Sequence, residues 1–188
     1  MTARIKLLVV GALGLVGRAV VERFAQRPDV QVLGLARRRP DFAPGATWLQ
    51  ADLQDAAATR AALAPHAGIT HVVYAALHEQ PNLVQGWRSA DNMALNTTML
   101  ANLVAALEGA PLQHVSLLQG TKAYGVHTGR PMRVPAREQD ALRDHVNFYF
   151  DQQDLVAGLA QRQGFAWTAW RPQIVLGLAV GSAMNPVA

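Results

Sequence analysis

The hydrophobic pattern switches period near the start of the chain and keeps alternating between two periods to its end. Ile5 to Val10 is an apolar run of the kind buried on both faces of a parallel sheet, whereas Leu13, Val16, Val20 and Val21 fall on one face of a helix. Val30–Ala36 reads as a second strand, Trp48–Leu53 as a third, and the alanine-rich stretch from Gln54 to Leu63 as a helix. Ile69–Ala76, apolar apart from its edges, predicts a fourth strand. A long helical pattern follows from about Trp87 to Leu107, with Met93, Leu95, Met99, Leu103 and Leu107 among its apolar positions. Gln113–Leu118 predicts a fifth strand, 119–145 an irregular excursion rich in Gly, Pro and Arg, Asn147–Gln163 a helix, and Phe165–Trp170 a sixth strand stopped by Arg171-Pro172. Strands alternating with helices predict an α/β fold, a doubly wound parallel sheet with helices on both faces and a ligand at the carboxyl ends of its strands.

Three glycines punctuate the first switch of period. Gly11, Gly14 and Gly17 are spaced G-x-x-G-x-x-G, with a strand before and a helix after. Gly11 suits a tight turn, Gly14 lets backbone approach a ligand, and Gly17 lets the helix pack hard on the strand. The N–H groups at Leu15, Val16 and Gly17 then face a pyrophosphate, and the fold becomes Rossmann-like. A structural turn in another α/β protein would also use glycines, and what favours a dinucleotide is the complete βαβ unit around them. The second strand runs into Arg37-Arg38-Arg39 with no carboxylate at its end, and Arg37 is the twentieth residue after Gly17. Arginine there suits the 2′-phosphate of NADP(H) over the free ribose of NAD(H), while at least one of the three belongs to a solvated basic loop.

Further candidates for the cofactor lie at the other strand ends. Asp52 and Leu53 follow the third strand, where Asp52 could meet an adenine amino group or cap the next helix. Tyr74, Ala75 and Ala76 end the fourth strand against the cofactor. Asn92, Asn96 and Asn102 punctuate the long helix as residues more often structural than catalytic, Asn96 being the strongest functional candidate of the three.

Bulk properties narrow the class. With 188 residues, 51% hydrophobic and 16% charged, the chain can bury a sizeable core. No apolar run is long enough to cross a bilayer, no signal-peptide pattern precedes the first strand, and there are no cysteines, so the expected compartment is the cytoplasm. The net charge of +4 comes from scattered arginines without interleaved aromatics, which argues against nucleic acid. The six histidines show no metal spacing, so no metal site is expected. Only Lys6 and Lys122 are lysines, which draws attention to Lys122 in the loop after the fifth strand.

A nicotinamide-dependent reductase needs a group that stabilises negative charge on the substrate oxygen, and tyrosine beside a cation does this well. The common short-chain arrangement, Tyr-x-x-x-Lys on one helix, is absent, because Gln153 stands four residues after Tyr149. Lys122 is the available cation. The segments His114-Val115-Ser116-Leu117-Leu118-Gln119-Gly120-Thr121-Lys122-Ala123-Tyr124-Gly125, Asn147-Phe148-Tyr149-Phe150-Asp151-Gln152-Gln153-Asp154 and Trp170-Arg171-Pro172 resemble the progesterone 5β-reductase and iridoid synthase family, a branch of the extended short-chain dehydrogenases/reductases. Two departures are visible: Phe150 stands where that family has a second tyrosine, and Gln153 where it has an acidic residue.

The resemblance implies a catalytic pair of Tyr149 and Lys122, with Gln119, Lys122, Tyr149, Pro172 and Ile174 also against the cofactor. It implies NADPH-dependent 1,4-reduction of a small-molecule enone, and it leaves Tyr124 to loop packing. Without it, Tyr149 reads as a core aromatic beside Phe148 and Phe150. Relatives of this kind carry a further substrate segment, so residues 1–178 are expected to form the NADP-binding domain and 179–188 to begin an incomplete substrate-binding segment. A homodimer is compatible with this reading. Two other functions share the fold: a nucleotide-sugar epimerase or dehydratase, which normally keeps Tyr-x-x-x-Lys, and a non-catalytic NADP(H) sensor.

Overall fold

The computed structural model describes residues 5–40, 45–80, 86, 89–177 and 179. Six parallel strands, β1 (Ile5–Val10), β2 (Val30–Ala36), β3 (Thr47–Gln50), β4 (His71–Tyr74), β5 (His114–Leu118) and β6 (Ala166–Trp170), form one sheet in the order β3-β2-β1-β4-β5-β6. The helices that connect them are α1 (Leu15–Phe24), α2 (Ala56–Leu63), α3 (Ala90–Ala106) and α4 (Phe148–Gln163). Strand order reverses between β1 and β4, which opens a crevice at their carboxyl ends.

Alternation along β1 divides the core into two layers. Leu7 and Val9 pack with Val32 of β2 and with Val20, Val21 and Phe24 of α1. Leu8 and Val10 face the opposite side, against Leu33 and Leu35 and the apolar positions of α2, α3 and α4, among them Leu63, Leu100, Leu103, Val156 and Leu159. The expected doubly wound sheet with helices on both faces is therefore present, with α1 on one face and the other three described helices on the other.

Boundaries differ from the expectation where a turn captures the end of an apolar run. β3 stops at Gln50 rather than Leu53, and β4 covers only His71–Tyr74 of the expected Ile69–Ala76. Helix α2 begins two residues later than expected because its N-cap is Asp55, whose carboxylate accepts from the Ala57 and Ala58 N–H groups. Asp52 caps no helix; it closes the preceding turn by accepting from the Gln54 N–H at 3.0 Å. Ser89 caps α3, so that helix starts at Ala90, and the expected start at Trp87 lies outside the described residues. The expected substrate segment, 179–188, lies outside them too except for Ala179. No helix among the described residues is long and apolar enough to cross a membrane.

Candidate functional site

The glycine turn is built so that side chains would obstruct it. Gly11 has φ +79°, and a Cβ there would stand 2.7 Å from the Ala76 N at the end of β4. A Cβ on Gly17 would fall 2.2 Å from the Gly11 carbonyl oxygen, so only glycine lets α1 sit this close to the turn. Gly14 is the N-cap of α1, in extended conformation and without a side-chain cap. The first N–H groups of α1, at Leu15 and Val16, thus open toward the crevice beside Tyr74–Ala76, and this cradle fits a dinucleotide pyrophosphate. Tyr74 offers that crevice its backbone, because its ring is 1% exposed in the core. At the other end of the crevice Arg37 and Arg38 are exposed directly after β2, and the Gln50 side chain donates to the Arg37 carbonyl at 3.1 Å.

The second half of the site joins the loop after β5 to the start of α4, and Asn147 makes the joint. Its Oδ1 accepts from the Tyr149 N–H at 3.0 Å, capping α4, while its Nδ2 donates to the Lys122 carbonyl at 3.0 Å. One amide therefore holds both backbone positions of the expected catalytic pair. The Tyr149 phenol oxygen lies against Gly120, 3.4 Å from where a Cβ would be, in the same loop as Lys122. Ala123, fully buried, packs among Met93, Phe148, Tyr149 and Phe150 and seats that loop on both helices.

Gln119 and Gln153 brace the arrangement from below. Gln153 Nε2 donates to Gln119 Oε1 at 2.7 Å, and Gln119 Nε2 donates to the Tyr149 carbonyl at 2.8 Å. The residue standing where other short-chain enzymes carry lysine is thus a buried strut. Pro172 presents its carbonyl beside Gly120, and Ile174 is largely exposed. Tyr124 is a packing residue, with the Arg171 guanidinium 5.5 Å from its ring centroid.

Burial and charge set the ionisation of the pair. Burial pushes the Tyr149 phenol well above its usual value, and the negative charge of Glu79 adds to this, so the phenol stays protonated. Burial lowers the pKa of Lys122, and Glu79 acts in the opposite sense. A cavity of about 800 Å³ opens beside the loop, lined in part by Met93, Val126, His127 and His145. His145 Nε2 lies 3.3 Å from the Lys122 carbonyl.

Asn96, the strongest functional candidate on its helix, is structural. It is fully buried, accepts from the His78 N–H at 2.9 Å, and donates to the carbonyls of His78 at 3.0 Å and Asn92 at 2.9 Å. Sequence reasoning missed two residues here. An Asn immediately before a helical run signals the cap that Asn147 makes, but nothing local signals its second bond, and Glu79 enters the site only through tertiary structure.

Comparison with known proteins gives the family and the fold. The NAD dependent epimerase/dehydratase family matches residues 7–172. The chain is 31% identical to a 3-oxo-Delta(4,5)-steroid 5-beta-reductase of Arabidopsis thaliana, over 96% of this chain and 48% of that protein. It is 30% identical to an (S)-8-oxocitronellyl enol synthase of Camptotheca acuminata, over 95% of this chain and 47% of that protein. The chain thus spans about half the length of the curated relatives it matches. The enzyme WbmH of Bordetella bronchiseptica, solved with NAD+, superposes with a TM-score of 0.72 at 19% identity, over 95% of this chain and 59% of that one, which shows the shared fold.

Proposed function

Because the chain belongs to the NAD dependent epimerase/dehydratase family, we propose that it serves an oxidoreductase that reduces the C=C bond of a small enone with NADPH. The observation that carries this reading is the Asn147 bridge, which holds Lys122 and Tyr149 together from separate segments while Gln153 occupies the usual lysine position. Similarity to steroid 5-beta-reductases and oxocitronellyl enol synthases supports it.

When bound, NADPH would supply a hydride to the β-carbon of the enone, and the resulting enolate would take a proton from water at its α-carbon. Tyr149, kept protonated by its burial, donates a hydrogen bond to the substrate carbonyl oxygen and stabilises the enolate as charge develops there. The Lys122 ammonium strengthens that donor and holds the nicotinamide ribose. Gly11, Gly14 and Gly17 with the N–H groups of Leu15 and Val16 hold the pyrophosphate, and Arg37 and Arg38 the 2′-phosphate. In the same reading Asp52 and Leu53 would meet the adenine, Tyr74, Ala75 and Ala76 would pass the middle of the dinucleotide, and Gln119, Pro172 and Ile174 would stand at its nicotinamide end. The reading assigns the protein to the cytoplasm and is compatible with a homodimer.

The test is NADPH oxidation with cyclohex-2-enone. Tyr149→Phe and Lys122→Ala should each abolish most of the rate while leaving NADPH binding measurable by fluorescence. Undiminished rates in both variants overturn the assignment, and tight NADPH binding without turnover in the unaltered protein identifies a sensor instead.

A further inference from the structure

This inference rests on the Tyr149–Lys122 reading and adds a third group to it. Tyr74 of β4 and Leu117 of β5 are register partners. Glu79 and Lys122 each stand five residues beyond that rung, on the two segments leaving neighbouring strands at the same edge of the sheet. Both segments are tied down. The Asn96 amide brackets the backbone of His78, accepting from its N–H at 2.9 Å and donating to its carbonyl at 3.0 Å, and His78 Nδ1 lies 2.9 Å from Asn92 Oδ1. The Lys122 carbonyl is held by Asn147 at 3.0 Å, with His145 Nε2 at 3.3 Å.

The two anchored segments leave a half-buried carboxylate and a half-buried ammonium at the same sheet edge on neighbouring strands, with the buried Tyr149 phenol oxygen against Gly120 of the second segment. Glu79 interacts electrostatically with both Lys122 and Tyr149, favouring the charged lysine and opposing a phenolate. Burial raises the pKa of Glu79 itself, with Lys122 opposing. In the turn that follows Lys122, burial lowers the pKa of His127, with the neighbouring His145 and then Lys122 adding to it. Glu79 is thus the anion that supports the charged form of Lys122 at this sheet edge. A half-buried ammonium without an anion of this kind would lose charge or move toward water.

We propose that Glu79 is the positioning carboxylate of the Lys122–Tyr149 pair, holding the lysine ammonium in register with the phenol. It need not touch substrate, since it acts through Lys122.

The composition of the chain makes this directly measurable. Lys6 and Lys122 are the only lysines, so protein labelled with carbon-13 lysine shows two side-chain resonances, and Lys122→Arg identifies which is which. In Glu79→Gln the Lys122 resonance should titrate at a lower pH, whereas Glu79→Asp should stay close to the unaltered protein. The alkaline limb of kcat for cyclohex-2-enone should move the same way. A Lys122 resonance that titrates at the same pH with and without the Glu79 charge overturns the proposal. The resonance is read without turnover, so the two readings fail separately. Full activity in both Tyr149→Phe and Lys122→Ala sinks the reductase, whereas an unmoved Lys122 resonance alongside inactive forms of those two variants sinks only the role of Glu79.

Discussion

Asn147 should be separable into two functions by two substitutions. The side chain is 4% exposed and uses both ends of its amide, Oδ1 for the Tyr149 N–H and Nδ2 for the Lys122 carbonyl. Loss of a helix N-cap costs about 1 kcal/mol, and loss of a hydrogen bond to a carbonyl about 1 kcal/mol more. Asn147→Ala removes both and should destabilise the protein by about 2 kcal/mol, read as a lower urea midpoint at unchanged m. Asn147→Ser keeps a good capping oxygen but leaves the Lys122 carbonyl without its Nδ2 donor, so its loss should be roughly half as large. Activity should divide differently. Both variants release the Lys122 loop, and misplacement of a catalytic group by about 1 Å costs on the order of a hundredfold in rate. The Ser variant should therefore lose only about 1 kcal/mol of stability and yet lose roughly tenfold or more in kcat for enone reduction. A Ser variant with full kcat, or an Ala variant of undiminished stability, would refute the two-ended role.

Three further outcomes follow from the geometry. Gly17→Ala forces a Cβ to within 2.2 Å of the Gly11 carbonyl oxygen, so it should cost about 1–3 kcal/mol in urea unfolding and weaken NADPH binding with it. Replacing Arg37 and Arg38 together by alanine should raise the Kd for NADPH by roughly tenfold or more and leave that for NADH nearly unchanged, as read by fluorescence titration. His71 is pushed below its usual value of 6.5 by burial and by its neighbour His114, so the folded state takes its proton less readily than the unfolded chain. Stability should accordingly fall as pH drops below about 6.5, and His114→Gln should reduce that fall in urea midpoints measured across the range.

The legible parts of the fold were those in which one strong local pattern had no rival. β1 and β2 occupy the expected Ile5–Val10 and Val30–Ala36, because their apolar runs end at a glycine turn and an arginine cluster. β3 and β4 came out shorter than their apolar runs because pairing, not hydrophobicity, ends a strand: Leu53, Ile69 and their neighbours are buried by the layer of helices and not by the ladder. For α2, Asp52 read as a possible cap, but the helix takes Asp55, three residues later, as its N-cap. Lys122 and Tyr149 were readable as a pair through motif resemblance, but Asn147's second bond and the presence of Glu79 depend on segments 25 and 43 residues from Lys122, at separations no local pattern encodes.

The strut formed by Gln153 and Gln119 has a consequence for how this protein should wear under heat. Where phenol and ammonium ride on the same helix, their spacing survives as long as that helix does. Here the spacing belongs to a docked excursion from the sheet, held by a handful of amides, and warming should undock it before the strands separate. Catalytic failure should then precede the loss of far-ultraviolet ellipticity, at a temperature set by the 119–147 excursion rather than by the core.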